Sequence, residues 1–237
     1  MKLTVLGNNG PYPSKDGACS GYLIQSDSGS TSILLDCGTG SLAALRRYLP
    51  LEKLSAVLLS HLHYDHMSDM LPMHYALQFS SRELPLNVYA PQEPAEVRAL
   101  LRGPHTDVWV LRDVTIGEMK ISVCPARHPI PTWAIKVECD GAALVYTGDT
   151  NTDTALEFFC DGADLLLADA GLSEADWKET APHLSAKKCG QLAKDTRAKQ
   201  LLLTHLNPKY DPQALLAEAA EVYPKAELAE RGQVYYL

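Results

Sequence analysis

Three histidines and an aspartate fall within the six positions His61-Leu62-His63-Tyr64-Asp65-His66. Imidazole and carboxylate are the side chains that hold a borderline divalent cation, so this crowding reads as a metal site. Residues two apart in an extended segment point the same way, which lets His61 and His63 clamp one ion. Asp65 and His66 follow at the turn into a helix, where adjacent positions diverge and can reach a second ion. His128 in PARHPIP completes the first set and His205 in LTHLNP the second. Asp149 in TGDT has two oxygens with which to bridge both ions. A single catalytic ion takes about three or four protein ligands, so these candidates imply two divalent ions. Zinc suits them first, with manganese or iron as alternatives. Two such ions would share a hydroxide, because coordination lowers the pKa of water from about 15.7 towards about 7. No G-x-S-x-G stretch competes as a nucleophile, and Cys37 has no base partner beside it.

The apolar runs show what must position these residues. AVLLS runs into His61, AALVYT into Asp149, and LLLT into His205, while SILLD ends on Asp36. Buried strands that deliver polar residues from their C-terminal ends are how α/β folds assemble sites, so the four endings are expected to meet in one cleft. Strand patterns dominate the first 36 residues, and strands and helices alternate later. Helical patterns lie near 41–48, 67–79, 92–102, 153–160, 185–196 and 212–221, with Pro91 and Pro212 near two of the starts. Gly7-Asn8-Asn9-Gly10 matches neither a P-loop nor a dinucleotide fingerprint and reads as a turn at the cleft edge.

At 237 residues with a net charge of −8, the chain reads as one globular domain, residues 1–237, without the footprint of a general nucleic-acid binder. No apolar run approaches the roughly 18 residues of a membrane span. Six scattered cysteines without a C-x-x-C pair point to a reduced, cytoplasmic protein.

The series H-x-H-x-D-H, a lone His after a strand, G-D-T, and a late T-H resembles the ligand series of the metallo-β-lactamase superfamily, over residues 3–206. The resemblance implies a four-layer αββα sandwich and a hydrolase, and it assigns Asp36 in LLDCG the role of orienting ligand histidines from behind. HLSAKKCGQLAKDTRAKQLLLTHLNP, residues 183–208, is similar to the ribonuclease Z group within that superfamily. That likeness makes His183 the proton donor and Ser185 a helix N-cap. Asp65 and His183 are then the residues assigned to catalysis.

Departures from that group shape the expected function. Its tRNA-processing members carry a long arm between the third ligand motif and G-D-T, whereas only 20 residues separate His128 from Asp149 here. The chain therefore resembles a short, arm-less member, for which intact tRNA is not the expected substrate. The expected chemistry is phosphodiester hydrolysis on a small or cyclic nucleotide or an RNA end, with no membrane partner and a homodimer as the oligomer. Two rivals use the same ligands: an acyl hydrolase of lactones or thioesters, and a non-catalytic iron or oxygen sensor. Of the remaining candidates, His74 reads as structural and His105 as a loop residue. Asp69 reads as an aid to the start of the helix after the motif, and Asp169 as a strand-end group near the cleft.

Overall fold

The computed structural model describes residues 1–237. Its first sheet contains β1 (Lys2–Gly7), β2 (Gly21–Gln25), β3 (Ser32–Leu35), β4 (Ala56–Leu58), β5 (Leu86–Ala90) and β6 (Thr106–Val110), with β14 (Val234–Tyr236) added at the β1 edge. The second contains β7 (Val114–Ile116), β8 (Met119–Ala126), β9 (Thr132–Cys139), β10 (Ala142–Tyr146), β11 (Leu165–Asp169), β12 (Leu201–Thr204) and β13 (Ala226–Leu228). Both sheets change from antiparallel to parallel midway, at β3 and at β10. The inner strands β3, β4, β11 and β12 are buried along their whole length and are accordingly almost wholly apolar, as in SILL, AVL and LLLT.

Three apolar layers hold the sandwich together. Leu3, Ile24, Leu35 and Leu58 of the first sheet meet Ile121, Ile135, Leu144 and Leu202 of the second. The outer face of the first sheet packs on α1 (Ser41–Leu45), α2 (Tyr64–Met67) and α3 (Met70–Gln78) through Leu42, Met67, Met70 and Met73, with α4 (Ala95–Ala99) at the margin through Val97. The outer face of the second packs on α5 (Thr154–Cys160), α6 (Ala186–Asp195) and α7 (Pro212–Ala220) through Leu156, Cys189 and Leu215. This is the four-layer αββα arrangement that the motif series implies.

Two local expectations change. The helix expected over 67–79 is broken between α2 and α3, because Pro72 has no N–H to give the Ser68 carbonyl. Asp69 does not cap its own helix. Its Oδ2 accepts instead from Gly40 N and Leu42 N, each at 2.9 Å, and so holds the start of α1. The short strands β6, β7 and β13 have little signal in the sequence. They lie at or beside sheet edges, where one-sided burial leaves only a weak apolar pattern.

Candidate metal centre

Three strands end where the chain must turn sharply to aim a side chain into the cleft. Beyond β3, β10 and β12, Asp36, Gly148 and His205 adopt left-handed backbone with φ of 55°, 60° and 54°. Glycine accepts this readily, but an aspartate and a histidine held there carry strain, which folds keep where geometry matters. Gly148 is also crowded, since a Cβ would lie 3.0 Å from the Trp133 carbonyl. The turn at Gly10 closes the cleft edge against His205, whose Nε2 would sit 2.0 Å from a Cβ there.

The first set is brought together by β4, the end of β8 and the end of β10. His63 Nδ1 lies 3.1 Å from both His61 Nε2 and His128 Nε2, and Asp149 Oδ2 lies 3.5 Å from His61 Nε2. A tetrahedron of bonds of about 2.0–2.2 Å has edges of about 3.3–3.6 Å, so these spacings fit one ion. Proton bookkeeping agrees. His128 Nδ1–H donates to the Pro182 carbonyl at 2.9 Å, which leaves its Nε2 as a lone pair. Ser60 Oγ–H donates to Asp36 and so accepts from His61 Nδ1–H at 3.0 Å, which fixes the same tautomer there. Burial pushes His61, His63 and His128 below the ordinary histidine range, which favours neutral, coordinating imidazole.

The second set comprises Asp65, His66, His205 and the other oxygen of Asp149. His66 Nε2 lies 3.4 Å from Asp65 Oδ2 and 3.3 Å from Asp149 Oδ1, and His205 Nδ1 is 2.9 Å from Asp149 Oδ1. Asp65 Oδ2, His66 Nε2, Asp149 Oδ1 and both His205 ring nitrogens are buried without a hydrogen-bond partner. Buried polar atoms are rarely left unmatched, and Asp65, His66 and His205 each offer one ligand atom within 4.8 Å of the others, so the chemistry of the donors fits a second divalent ion. Burial opposes the charge on Asp149, but His205, His66 and His61 around it hold its carboxyl well below the usual range.

Asp36 lies beneath both sets, fully buried. Its Oδ2 accepts from His66 Nδ1 (2.7 Å), Ser60 Oγ (2.8 Å) and Tyr146 OH (2.8 Å), and its Oδ1 from Ser60 N (2.7 Å). One carboxylate thus orients His66 directly and His61 through Ser60, a histidine from each set. Tyr146 is a member that sequence reasoning missed. Tyr146→Phe removes one charge-assisted donor from this carboxylate and is expected to weaken metal binding about tenfold while the fold is kept. Competition with a chromogenic chelator measures this, and unchanged affinity would show that Ser60 and His66 hold Asp36 unaided.

His183 stands between the two sets, with ring centroids 5.5 Å from His128 and 4.9 Å from His205. Its Nδ1–H donates to Asp169 Oδ2 at 2.9 Å. Asp169 is fixed in turn by Thr150 N and Gly171 N, each at 3.0 Å, so this strand-end group steadies His183. Burial alone would lower the His183 pKa, but the Asp169 and Asp149 carboxylates outweigh it and raise it to about 9. Ser185 caps α6, its Oγ accepting from Lys188 N at 3.1 Å. His74 bonds the Leu100 carbonyl and packs on Gly103, and His105 borders a surface hollow with Arg82, so neither joins the ligand sets. Burial pushes the Cys37 thiol up, which removes it as a nucleophile.

Residues 31–206 match the family described as the β-lactamase superfamily domain, a span that contains both ligand sets. The chain is 35% identical over 214 residues to the "Probable metallo-hydrolase YhfI" of Bacillus subtilis, covering 87% of each protein. The crystal structure of YhfI superposes with a TM-score of 0.93 at 33% identity, over 99% of this chain and 98% of that one. Ribonuclease Z of Haloferax volcanii is 26% identical over 301 aligned positions, covering 98% of this chain and 94% of that protein. The short form of human tRNase Z shares the fold, with a TM-score of 0.80 at 22% identity over 100% of this chain and 99% of that one.

Proposed function

Since the chain belongs to the β-lactamase superfamily and is a metallo-hydrolase of that family, we propose that it is a dinuclear phosphodiesterase acting on a small or cyclic nucleotide or an RNA end. The observation that carries this reading is His183, whose ring lies beside both ligand sets and whose Nδ1 is taken by Asp169, so that Nε2 is the nitrogen left to give a proton. Two divalent ions, zinc first among them, would be held by His61, His63, His128 and Asp149 and by Asp65, His66, His205 and Asp149, and would supply Lewis acidity and an acidified water. The chain's own work is to fix these donors, to keep His61 and His66 in one tautomer through Asp36, and to place a proton where an alkoxide leaves. An acyl substrate would make less use of that proton.

The substrate side follows from what surrounds the centre. β9 and β10 occupy most of the interval between His128 and Asp149 and are joined by a tight turn at Asp140–Gly141, which leaves no length for a tRNA-gripping arm. With a net charge of −8, binding of intact pre-tRNA at physiological salt is expected to be poor. A panel of phosphodiesters, cyclic nucleotides, pre-tRNA, lactones and thioesters tests the reading on metal-replete protein. Turnover is expected on the first two and its loss on chelation. Turnover confined to lactones and thioesters would transfer the site to acyl chemistry, and efficient 3′ trimming of pre-tRNA would overturn the substrate class.

No helix is long and apolar enough to cross a membrane. A cytoplasmic location is part of the proposal and agrees with six free cysteines. So is a homodimer. Light scattering should return about twice the chain mass of 25.9 kDa, and a monomer at micromolar concentration would remove this part.

A further inference from the structure

Asn151, two residues beyond Asp149, is fully buried, yet its side chain makes no hydrogen bond to either ligand set. Its side chain is saturated with partners from one irregular segment. Nδ2 donates to the carbonyls of Lys178 (3.0 Å), Glu179 (3.3 Å) and Ala181 (2.8 Å). Oδ1 accepts from Trp177 Nε1 (3.0 Å) and from its own neighbour Thr152 N (2.7 Å). Three carbonyls can only face the amide nitrogen, so the orientation of the amide is fixed by its surroundings. Its backbone N donates to the Arg127 carbonyl at 3.1 Å, beside His128.

The segment it holds matters to both histidines at the mouth. Residues 173–184 form no helix or strand, and while the Lys178 carbonyl also accepts from Ala181 N, the Glu179 and Ala181 carbonyls have no backbone donor and depend on Asn151. Ala181 is followed by Pro182, whose carbonyl accepts from His128 Nδ1, and then by His183. We propose that Asn151 is a positioning residue that ties residues 177–182 to the strand end carrying Asp149, and thereby sets the placement of His183 and the orientation of His128. The inference rests on the reading that these two histidines serve the metal-dependent reaction.

Asn151→Asp keeps the acceptor and the volume but loses the donors to three carbonyls, and Asn151→Ala loses both. Trypsin is expected to cut metal-loaded variants after the exposed Lys178 about tenfold or more faster than the unsubstituted protein, as losing several hydrogen bonds frees the segment. Saturating zinc should still load both sites, with affinity about tenfold weaker through His128. Turnover of a phosphodiester with an alkyl leaving group should fall about 10- to 100-fold, and that of a nitrophenyl ester less. At saturating zinc, where the effect through His128 is masked, His183→Ala added to Asn151→Ala should cost little more than His183→Ala alone, because the remaining loss runs through His183. Unchanged cleavage after Lys178, or fully additive losses with His183→Ala, overturns the proposal. If His183→Ala leaves every substrate unaffected, the proton-donor reading fails by itself. Faster cleavage with weakened zinc affinity then still supports Asn151, and faster cleavage with undiminished affinity overturns it. Should both Asn151 variants fail to fold, Trp177→Phe removes a single bond to Oδ1 and should shift cleavage and activity in the same directions by less.

Discussion

Asp149→Ala is expected to lower bound metal from two ions per chain towards one and to reduce turnover by about 10³ or more, the equivalent of several kcal/mol of metal-derived stabilisation. The expectation comes from the placement of its two oxygens. Oδ2 faces His61 in the first set, and Oδ1 faces His66 and His205 in the second. No other side chain contacts both sets in this way, so its removal cuts each donor set at once. The side chain accepts no backbone hydrogen bond and belongs to none of the three apolar layers that hold the sandwich, so the fold should survive. Asn at this position keeps the volume and one coordinating oxygen and should fall between alanine and aspartate. Elemental analysis with a thermal melt separates the cases. A stoichiometry of one that Asp149→Ala leaves alone would sink the dinuclear reading.

The parts of this centre legible in the sequence are those whose chemistry is local. His61, His63, Asp65 and His66 announce themselves by spacing, and His128, Asp149 and His205 by lying at or beyond strand ends. Asp36 was placed in the cleft by its strand ending, but its orienting role was readable only through a family resemblance, and its partners were not. Tyr146 meets Asp36 across 110 residues of chain, and His183 meets Asp169 across 14, so neither pairing leaves a periodic trace. Asn151 looks like one more polar residue after G-D-T until the 173–184 segment folds over it. Asp69 shows the converse, since a carboxylate beside a helix start suggests a cap for that helix, while the backbone it serves belongs to α1. Buried strands and the helices of the outer layers follow from apolar runs. Edge strands such as β7 and β13, three residues each, are fixed by pairing rather than by their own composition.

His183→Ala should keep both ions and the fold, yet lower turnover of a phosphodiester with a poor alkoxide leaving group by roughly 10² to 10⁴. A nitrophenyl phosphodiester, whose phenolate leaves without a proton, should lose much less. The contrast between substrates isolates the proton, because lost metal or a distorted cleft would depress both alike. Asp169→Asn should act in the same sense and more weakly, since the amide still contacts His183 Nδ1 but no longer carries the charge that favours imidazolium. The ring is only 17% exposed at its side chain, wedged between His128 and His205, so substitution also opens space beside the centre. His183→Gln controls for that space by filling it with a group that cannot act as an acid. If glutamine matches alanine on the alkyl ester and both spare the nitrophenyl ester, the loss belongs to the proton. Equal losses on the two substrates with metal intact would make His183 a phosphate-binding group, and no loss on either would leave it a histidine at the entrance to α6.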